Sequence, residues 1–314
     1  MPNQANQPST HTIPSTYSAP FFQSKDQFIP KFLENICKDF SNDILTLPSL
    51  CNLKKLRFDN PNEQPDYSDI TIQRLYLLRY AYAYFSEYYY LYDCLFKKYQ
   101  NNQVKILSIG TGCNIDYYAA YFASIINYVN LDHFGIDIID WKDKQNLDNY
   151  NNFILSDIAK VDLSQFIDTD IIIFPKSLCE LPEKTVKAFF KNIQKQSFKC
   201  NSIYLISSQR SCYLNQDSTR FNQLVQSFEQ IGFTKKKGKI VTAPQNYTSF
   251  YHIVNFSYPD HICILLESLA QYCKNINNCP NGKGRGICDT GNQLNRSPML
   301  SPRLMKIEFA LVCK

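Results

Sequence analysis

The residues best suited to chemistry lie in the stretch Val104–Ala119, which reads VKILSIGTGCNIDYYA. Apolar and β-branched residues stop at Gly110 and Gly112, which flank a threonine, and a helix-compatible segment follows from Asp116. Because glycine has no Cβ, a glycine turn between a strand and a helix brings backbone N–H groups close to a bound ligand. The stretch therefore predicts a ligand-binding turn at the end of a strand.

A carboxylate follows this turn at an informative distance. About 25 residues further on, the short apolar segment HFGID ends in Asp137. An acidic residue about 20 residues beyond a glycine turn is placed to accept hydrogen bonds from ribose hydroxyls, because adjacent parallel strands end side by side. The turn and Asp137 together predict a nucleoside-binding site.

Three further apolar runs extend the pattern. Residues 153–155, 170–174 and 203–206 are rich in isoleucine, leucine and phenylalanine, and the first two are followed by Asp157 and by Pro175. Short apolar runs separated by helix-length intervals are typical of a parallel sheet that is covered on both faces. The sequence therefore predicts an α/β fold.

The order VKILSIGTG, FGID, ILSD and IIIFPKS resembles the class I S-adenosylmethionine-dependent methyltransferases over about residues 103–210. The turn is not a dinucleotide fingerprint, because the third glycine of G-x-G-x-x-G would fall at Ile115. It is not a P-loop either, since no Gly-Lys-Ser/Thr follows. The resemblance implies a Rossmann-like, mostly parallel seven-stranded sheet with helices on both faces. A reversed last strand, about residues 305–312, is expected beside the fifth.

The resemblance also implies S-adenosyl-L-methionine as the cofactor. The two glycines would lie near its methionine part, Asp137 would bind the ribose, and Asp157 would reach the adenine amino group. Asp140 competes with Asp137, which is preferred because it ends its strand as in the family's pattern. The implied cofactor-binding residues are Gly110, Thr111, Gly112, Asp116, Asp137, Ile138, Asp157, Ile158 and Pro175.

The substrate side is less well defined. Ligands of such sheets bind beyond the carboxyl ends of the strands, so Lys176, Ser177 and Glu180 are the catalytic candidates, with Pro175 beside them. A polar loop with a helix N-cap at Ser177 is the alternative. The Asn/Asp-Pro-Pro-aromatic motif of amino-methylating nucleic-acid enzymes is absent, so adenine-N6 or glutamine methylation is not supported.

Aromatic residues add two open questions. A helix is predicted over about 68–99, and in the resembled fold such a helix lies over the cofactor. Trp141, the only tryptophan, would either grip an adenine ring or fill the edge of the core. Six residues of the helix region would either line the pocket or simply pack, namely Tyr67, Arg79, Tyr80, Tyr84, Glu87 and Tyr88.

Composition limits the classes of function. With 44% hydrophobic and 19% charged residues in 314, the chain is predicted to be globular. The net charge of +5 is mild, and the one dense basic run, 235–239, is expected on a solvated hairpin rather than at a phosphate. No apolar stretch reaches about 18 residues, so no membrane span is expected. Without an export signal, a cytoplasmic location with reduced thiols is predicted.

The predicted organisation has three parts. Residues 1–24 form a disordered tail, 25–101 a helical extension with short helices interrupted at Pro30 and Pro48, and 102–314 the cofactor-binding domain. An irregular loop over 272–302 contains Cys273, Cys279 and Cys288. These cysteines could bind zinc with a nearby histidine or cysteine, but they lack a tight C-x-x-C pair, so a flexible substrate loop is preferred.

The leading hypothesis is methyl transfer to a small-molecule acceptor. The alternatives are a methyltransferase-like scaffold without turnover, and an RNA or protein methyltransferase that uses the lysine run. No metal site and no membrane partner are expected, nucleic acid is not favoured, and the pattern gives no oligomeric state.

Overall fold

The structure is a computed structural model that describes most of the predicted sheet and its helices. The predicted N-terminal tail and the loop over 272–302, with its three cysteines, lie outside the described residues. These residues are 24–46, 65–98, 103–145, 147, 151–209, 214–236, 249–254, 258–261, 264 and 303–314.

The first helix, α1 (Lys25–Thr46), corrects one prediction, because it runs through Pro30 without interruption. Pro30 is the sixth residue of α1, so its missing N–H removes a single helical hydrogen bond near the start. Phe28, Ile29 and Phe32 around it are buried, and their burial offsets that loss. Residue 48, the second predicted break, is outside the described residues.

The second helix, α2 (Ile70–Phe96), confirms the long helix predicted over 68–99. Asp69 caps its N-terminus by accepting a hydrogen bond from the Thr71 N–H at 2.8 Å. No glycine or proline interrupts the helix, so its aromatic residues keep one continuous helical spacing.

Eight strands form one sheet within the described residues. The elements from the sheet onward are β1 (Gln103–Ile109), α3 (Ile115–Asn127), β2 (Asn130–Asp137), β3 (Asn151–Leu155), β4 (Ile171–Pro175), α4 (Glu183–Ile193), β5 (Ser202–Gln209), α5 (Leu214–Glu229), β6 (Thr234–Lys236), β7 (Ser249–Val254) and β8 (Arg303–Cys313).

The sheet has the order β3-β2-β1-β4-β5-β8, with β6 and β7 both paired to β8. Strands β1 to β5 are parallel, whereas β8 is antiparallel to β5. β7 pairs with residues 303–308 of β8 and β6 with residues 311–313, so the sheet is seven strands wide. This confirms the predicted α/β fold class, with its mostly parallel sheet, N-terminal helices and reversed last strand.

Two hydrophobic clusters cover the two faces of the sheet. The helices α1, α2 and α3 pack on the face that carries Ile106 and Ile171. The helices α4 and α5 pack on the other face, which carries Leu107 and Ile172. Because β1 lies between β2 and β4, the strand order reverses there. In open α/β sheets, ligands bind beyond the carboxyl ends of the strands at such a switch point.

The remaining predictions concern the far edge of the sheet. Lys235 and Lys236 lie in β6, while the rest of the lysine run is outside the described residues. β6 is separated from β1 by β4, β5 and β8.

Across the described ranges, no helix combines the length and apolar character needed to cross a membrane.

Candidate functional site

The glycine turn after β1 has the backbone shape that only glycine adopts easily. Gly110 and Gly112 have φ angles of 68° and 59°, in the left-handed region. A Cβ added to Gly110 would lie 2.4 Å from the Cβ of Ser177. The Ser177 hydroxyl donates to the Ile109 carbonyl at 2.5 Å. The turn therefore packs directly against Ser177, in the loop that follows β4.

Asp137 connects the end of β2 to this turn. Its Oδ2 accepts from the Gly112 N–H at 2.7 Å, and its Oδ1 accepts from the Ile139 N–H at 2.8 Å. Burial raises the pKa of Asp137, and these backbone hydrogen bonds oppose the rise. The predicted meeting of the two strand ends is thus present in the structure as direct hydrogen bonds.

Asp116 supports the turn from beneath. It is fully buried, accepts from the Thr111 hydroxyl at 2.7 Å, and lies 3.2 Å from Nε2 of His133. Burial alone would raise the pKa of Asp116, but hydrogen bonds and the charge interaction with His133 hold that pKa below its usual value. Asp116 and Thr111, both predicted to bind cofactor, therefore have side chains directed into the protein.

Exposed apolar residues lie beside Asp137 at the carboxyl edge. Ile138 is 68% exposed, and Leu155, paired with Asp137 in the β2–β3 register, is 55% exposed. Asp140 instead pairs with two lysines, Lys142 at 2.5 Å and Lys144 at 2.9 Å. Of the two carboxylates, only Asp137 is thus seen to bind the glycine turn within the described residues.

The predicted adenine-binding residues differ in exposure. Asp157 is half-buried and accepts from the Ala159 N–H at 3.0 Å, which caps the short 3₁₀ helix Ile158–Lys160. Ile158 is buried in the core on the α4 side. Asp157 is therefore at the edge where a ligand could reach it, whereas the Ile158 side chain is enclosed.

The end of β4 carries a buried ion pair. Lys176 is 2% exposed, and its Nζ lies 2.7 Å from Oε2 of Glu87 on α2. It also donates to the Gln209 carbonyl at 3.0 Å and lies 5.2 Å from the centre of the Tyr84 ring. Lys176 has a φ angle of 60°, which is uncommon for a residue other than glycine and frequent at functional sites.

The tyrosines of α2 form a continuous aromatic row above this edge. Tyr80 and Tyr84 stack with ring centres 5.4 Å apart, and Tyr76 lies 5.2 Å from Tyr80. One end of the row contacts Trp141 through Tyr76, and the other end reaches Lys176 through Tyr84. The helix therefore extends along the carboxyl edge from Trp141, after β2, to Lys176, after β4. Sequence reasoning missed Tyr76, although it shares the spacing of Tyr80 and Tyr84.

Trp141 is buried against the turn. It is 5% exposed, and its ring centre lies 5.4 Å from Tyr67 and 5.5 Å from Tyr76. A Cβ on Gly112 would lie 3.7 Å from the indole ring. Of the two sequence interpretations, the structure favours a tryptophan that packs at the edge of the core.

Arg220 on α5 holds the loop after β4, and no sequence signal indicated this role. Its buried guanidinium donates to the carbonyls of Leu178, Cys179 and Leu181 at 2.7, 3.0 and 2.9 Å. Within the same loop, Glu180 is half-buried and Pro175 precedes it at the end of β4. The loop that carries the substrate-side candidates is thus fixed from the opposite face of the sheet.

Metal ligands are not grouped in the part of the chain that the structure describes: no three His, Cys, Asp or Glu residues could hold an ion there. His261, the histidine nearest in sequence to the three cysteines of the zinc alternative, lies 2.8 Å from Glu34 of α1. The zinc alternative for Cys273, Cys279 and Cys288 concerns residues outside the described ranges.

No protein-family model matches the chain, and neither does any curated protein. Human N-acetylserotonin methyltransferase in complex with SAM is 14% identical, with 65% of this chain and 63% of that chain covered and a TM-score of 0.37. The plantazolicin methyltransferase BamL, solved with a triazolic desmethylPZN analog and SAH, is 14% identical over 90% of this chain and 99% of its own, with a TM-score of 0.36.

A SAM-dependent methyltransferase from Archaeoglobus fulgidus is 13% identical, with 70% of this chain and 88% of that chain covered and a TM-score of 0.31. These solved structures are all methyltransferases. At such identities and TM-scores the similarity carries no argument about the activity of this chain, whose fold class follows from its own strand order.

Proposed function

We propose that the protein transfers a methyl group from S-adenosyl-L-methionine to a small-molecule acceptor. The observation that carries this proposal is the pair of hydrogen bonds that Asp137 accepts, one of them from the Gly112 N–H in the turn after the neighbouring strand. This arrangement lies at the switch point of a parallel sheet, where nucleotide ligands bind.

The residues of the edge fit the proposed cofactor. The glycine turn lies at the carboxyl edge, where the methionine part would pass along its backbone, and the half-buried carboxylate of Asp137 has lone pairs left for ribose hydroxyls. Ile138 and Leu155 offer exposed apolar surface to the adenine ring, with Asp157 beside them for its amino group. Burying such exposed side chains under an adenine ring would contribute hydrophobic binding energy.

When bound, the cofactor would supply an activated methyl group on a sulfonium. The protein must then mainly hold the acceptor in line with that methyl group. Lys176 and Glu87 neutralise each other at the end of β4, so the acceptor side has no uncompensated charge from this pair. Glu180 remains the candidate general base, which is needed only where the acceptor loses a proton. Ser177 is assigned a positioning role, because its hydroxyl is committed to Ile109.

A small acceptor is favoured over a nucleic acid by the position of the charges. Lys235 and Lys236 lie in β6, several strands away from the glycine turn. The aromatic row of α2 lies at the carboxyl edge, and the cation it contacts there, Lys176, is buried and paired with Glu87 rather than part of an open basic surface.

Calorimetric titration with S-adenosyl-L-methionine tests the proposal. We expect the wild-type protein to bind and Asp137→Asn to bind at least about tenfold more weakly, because the amide NH2 replaces one of the two oxygens that accept backbone N–H groups, which removes an acceptor and disturbs the turn. Asp140→Asn is the matched control, since Asp140 is exposed and pairs with lysines, and its affinity should stay within about twofold.

Failure of the wild-type protein to bind at millimolar cofactor would contradict the proposal and favour the non-catalytic scaffold. RNA binding with a steep salt dependence would instead favour a nucleic-acid acceptor.

A further inference from the structure

The loop after β2 connects the carboxylate of Asp137 to the helix α2. At the start of this loop, the Ile139 N–H donates to Oδ1 of Asp137 at 2.8 Å. Two residues further on, Trp141 is buried against Gly112 of the glycine turn. A displacement of this loop would therefore move a backbone donor of Asp137 together with the ring that packs on the turn.

Gln73, in the first turn of α2, binds the backbone of this loop. Its side chain is 1% exposed. Its Nε2 donates to the carbonyls of Asp140 and Tyr67 at 3.2 and 2.8 Å, and its Oε1 accepts from the Lys142 N–H at 3.0 Å. A buried carboxamide that is bonded through both its nitrogen and its oxygen holds its partners in one arrangement. The middle of the loop is thus fixed to the start of α2.

The next residue, Arg74, binds the same loop through a side chain. Its guanidinium donates to both oxygens of Asp143 at 3.1 and 3.2 Å, and to both oxygens of Asp43 on α1 at 2.9 and 2.8 Å. A third carboxylate, Asp39, lies 3.5 Å away and is more exposed. The side chains of Arg74, Asp143 and Asp43 are 13%, 13% and 19% exposed, so water screens these pairs only in part. A planar guanidinium can bind two carboxylates at once, which an ammonium does with less defined geometry.

We propose that Gln73 and Arg74 are positioning residues for the cofactor, because they hold the loop after β2 so that Asp137 keeps the orientation that binds the ribose. This inference rests on the proposed function and gives a role in binding to residues that need not touch the ligand. Of the two main partners of Arg74, Asp143 carries the effect, because it belongs to the loop. Asp43 connects Arg74 to α1 instead.

Asp143→Ala and Asp43→Ala form a matched pair, because each removes one carboxylate from the same guanidinium. Both should lower the urea midpoint of unfolding. We expect Asp143→Ala to bind S-adenosylhomocysteine at least about fivefold more weakly in a calorimetric titration, which is a typical coupling between a ligand and a distant group. The affinity of Asp43→Ala should stay within about twofold of the wild-type value.

Trp141 supplies a second readout, because it is the only tryptophan and lies in the loop. Without any ligand, its emission should move to longer wavelength in Asp143→Ala, since a displaced loop exposes the indole, and should stay unchanged in Asp43→Ala. An ion pair with a structural role alone would alter the unfolding midpoint but neither the emission of the folded protein nor its affinity. If Asp143→Ala does not fold, Asp143→Asn, which removes only the charge, should show both changes to a smaller degree.

The outcomes separate this inference from the proposed function. If the wild-type protein binds S-adenosylhomocysteine, an unchanged affinity or an unchanged emission in the Asp143 variant would overturn the positioning role and leave the proposed function standing. An equal loss of affinity in Asp43→Ala would do the same. A wild-type protein that does not bind S-adenosylhomocysteine at all would overturn the proposed function and this inference with it.

Discussion

Two polar parts of the carboxyl edge are stabilised in different ways. The first edge is at the ends of β1 and β2, and the second edge is at the ends of β4 and β5. At the first edge, Asp137 is held by two backbone N–H groups, one of them only two residues away and the other 25 residues away. At the second edge, Lys176 is paired with Glu87 of α2, a helix that precedes β1 in the sequence.

This difference explains why the approach of Asp137 to the glycine turn was predictable and the pairing of Lys176 with Glu87 was not. A carboxylate that binds nearby backbone leaves a short pattern of glycines and an acid that sequence reasoning detects. An ion pair between distant elements leaves no such pattern, because either residue alone reads as an ordinary charged side chain. Each of the following changes tests one side of this comparison.

The largest effect is expected from Lys176→Met at the second edge. The change leaves the buried Glu87 carboxylate without its lysine, and removing one partner of a buried pair typically costs about 3–5 kcal/mol. Urea unfolding monitored by circular dichroism measures this loss. Adding Glu87→Leu to the variant should recover part of it, because the buried carboxylate is then removed as well.

Lys187→Met is the matched control for that change. Lys187 pairs with Glu183 at 3.4 Å on the surface of α4, where both side chains are exposed. Its replacement should cost no more than about 1 kcal/mol. Equal costs for the two lysine variants would show that the Lys176 pair is not desolvated in solution.

Gly110→Ala tests the first edge, with a smaller expected loss of about 3 kcal/mol. The new Cβ would lie 2.4 Å from that of Ser177, so overpacking is added to the strain of a φ angle of 68°. Gly232→Ala shares the strained backbone, with a φ angle of 93°, but its Cβ would meet nothing within 4 Å. We expect about 1–2 kcal/mol there. Similar unfolding free energies for the two variants would rule out the tight packing of the turn.

Ile138→Ser should have the smallest effect on stability and still weaken cofactor binding. Because Ile138 is 68% exposed, its loss should change the unfolding free energy by less than about 0.5 kcal/mol. Lost apolar contact with the adenine ring should weaken S-adenosyl-L-methionine binding by about 3–10-fold, measured by calorimetry. Ile126→Ser, at a 55% exposed position near the end of α3, should leave both quantities unchanged. An unchanged affinity in Ile138→Ser would place the adenine elsewhere.

Much of the fold could be predicted because its signals are local. The apolar runs and the glycine turn predicted the parallel strands, and the last strand was confirmed beside β5. The uninterrupted α1 was not predicted, because a proline reads as a break unless its place within the first turns is known.

The candidate site was predictable only in part, for a physical reason. Gly112 and Asp137 lie side by side because β1 and β2 are adjacent parallel strands, and the order of the apolar runs in the sequence predicts that adjacency. The hydrogen bonds from Arg220 to the loop after β4, and the contact between the Tyr76 and Trp141 rings, depend on how helices pack across the sheet. Packing of that kind is set by tertiary structure and is not encoded in the spacing of nearby residues.

The helices α1 and α2 lie on the same sheet face as α3 and share one hydrophobic cluster with it. The helices before β1 are therefore part of the hydrophobic core on this face of the sheet and not a separate appendage. A chain shortened to begin at Gln103 would expose isoleucine and phenylalanine side chains of this cluster to water. It would also lose the tyrosines of α2 that lie at the carboxyl edge.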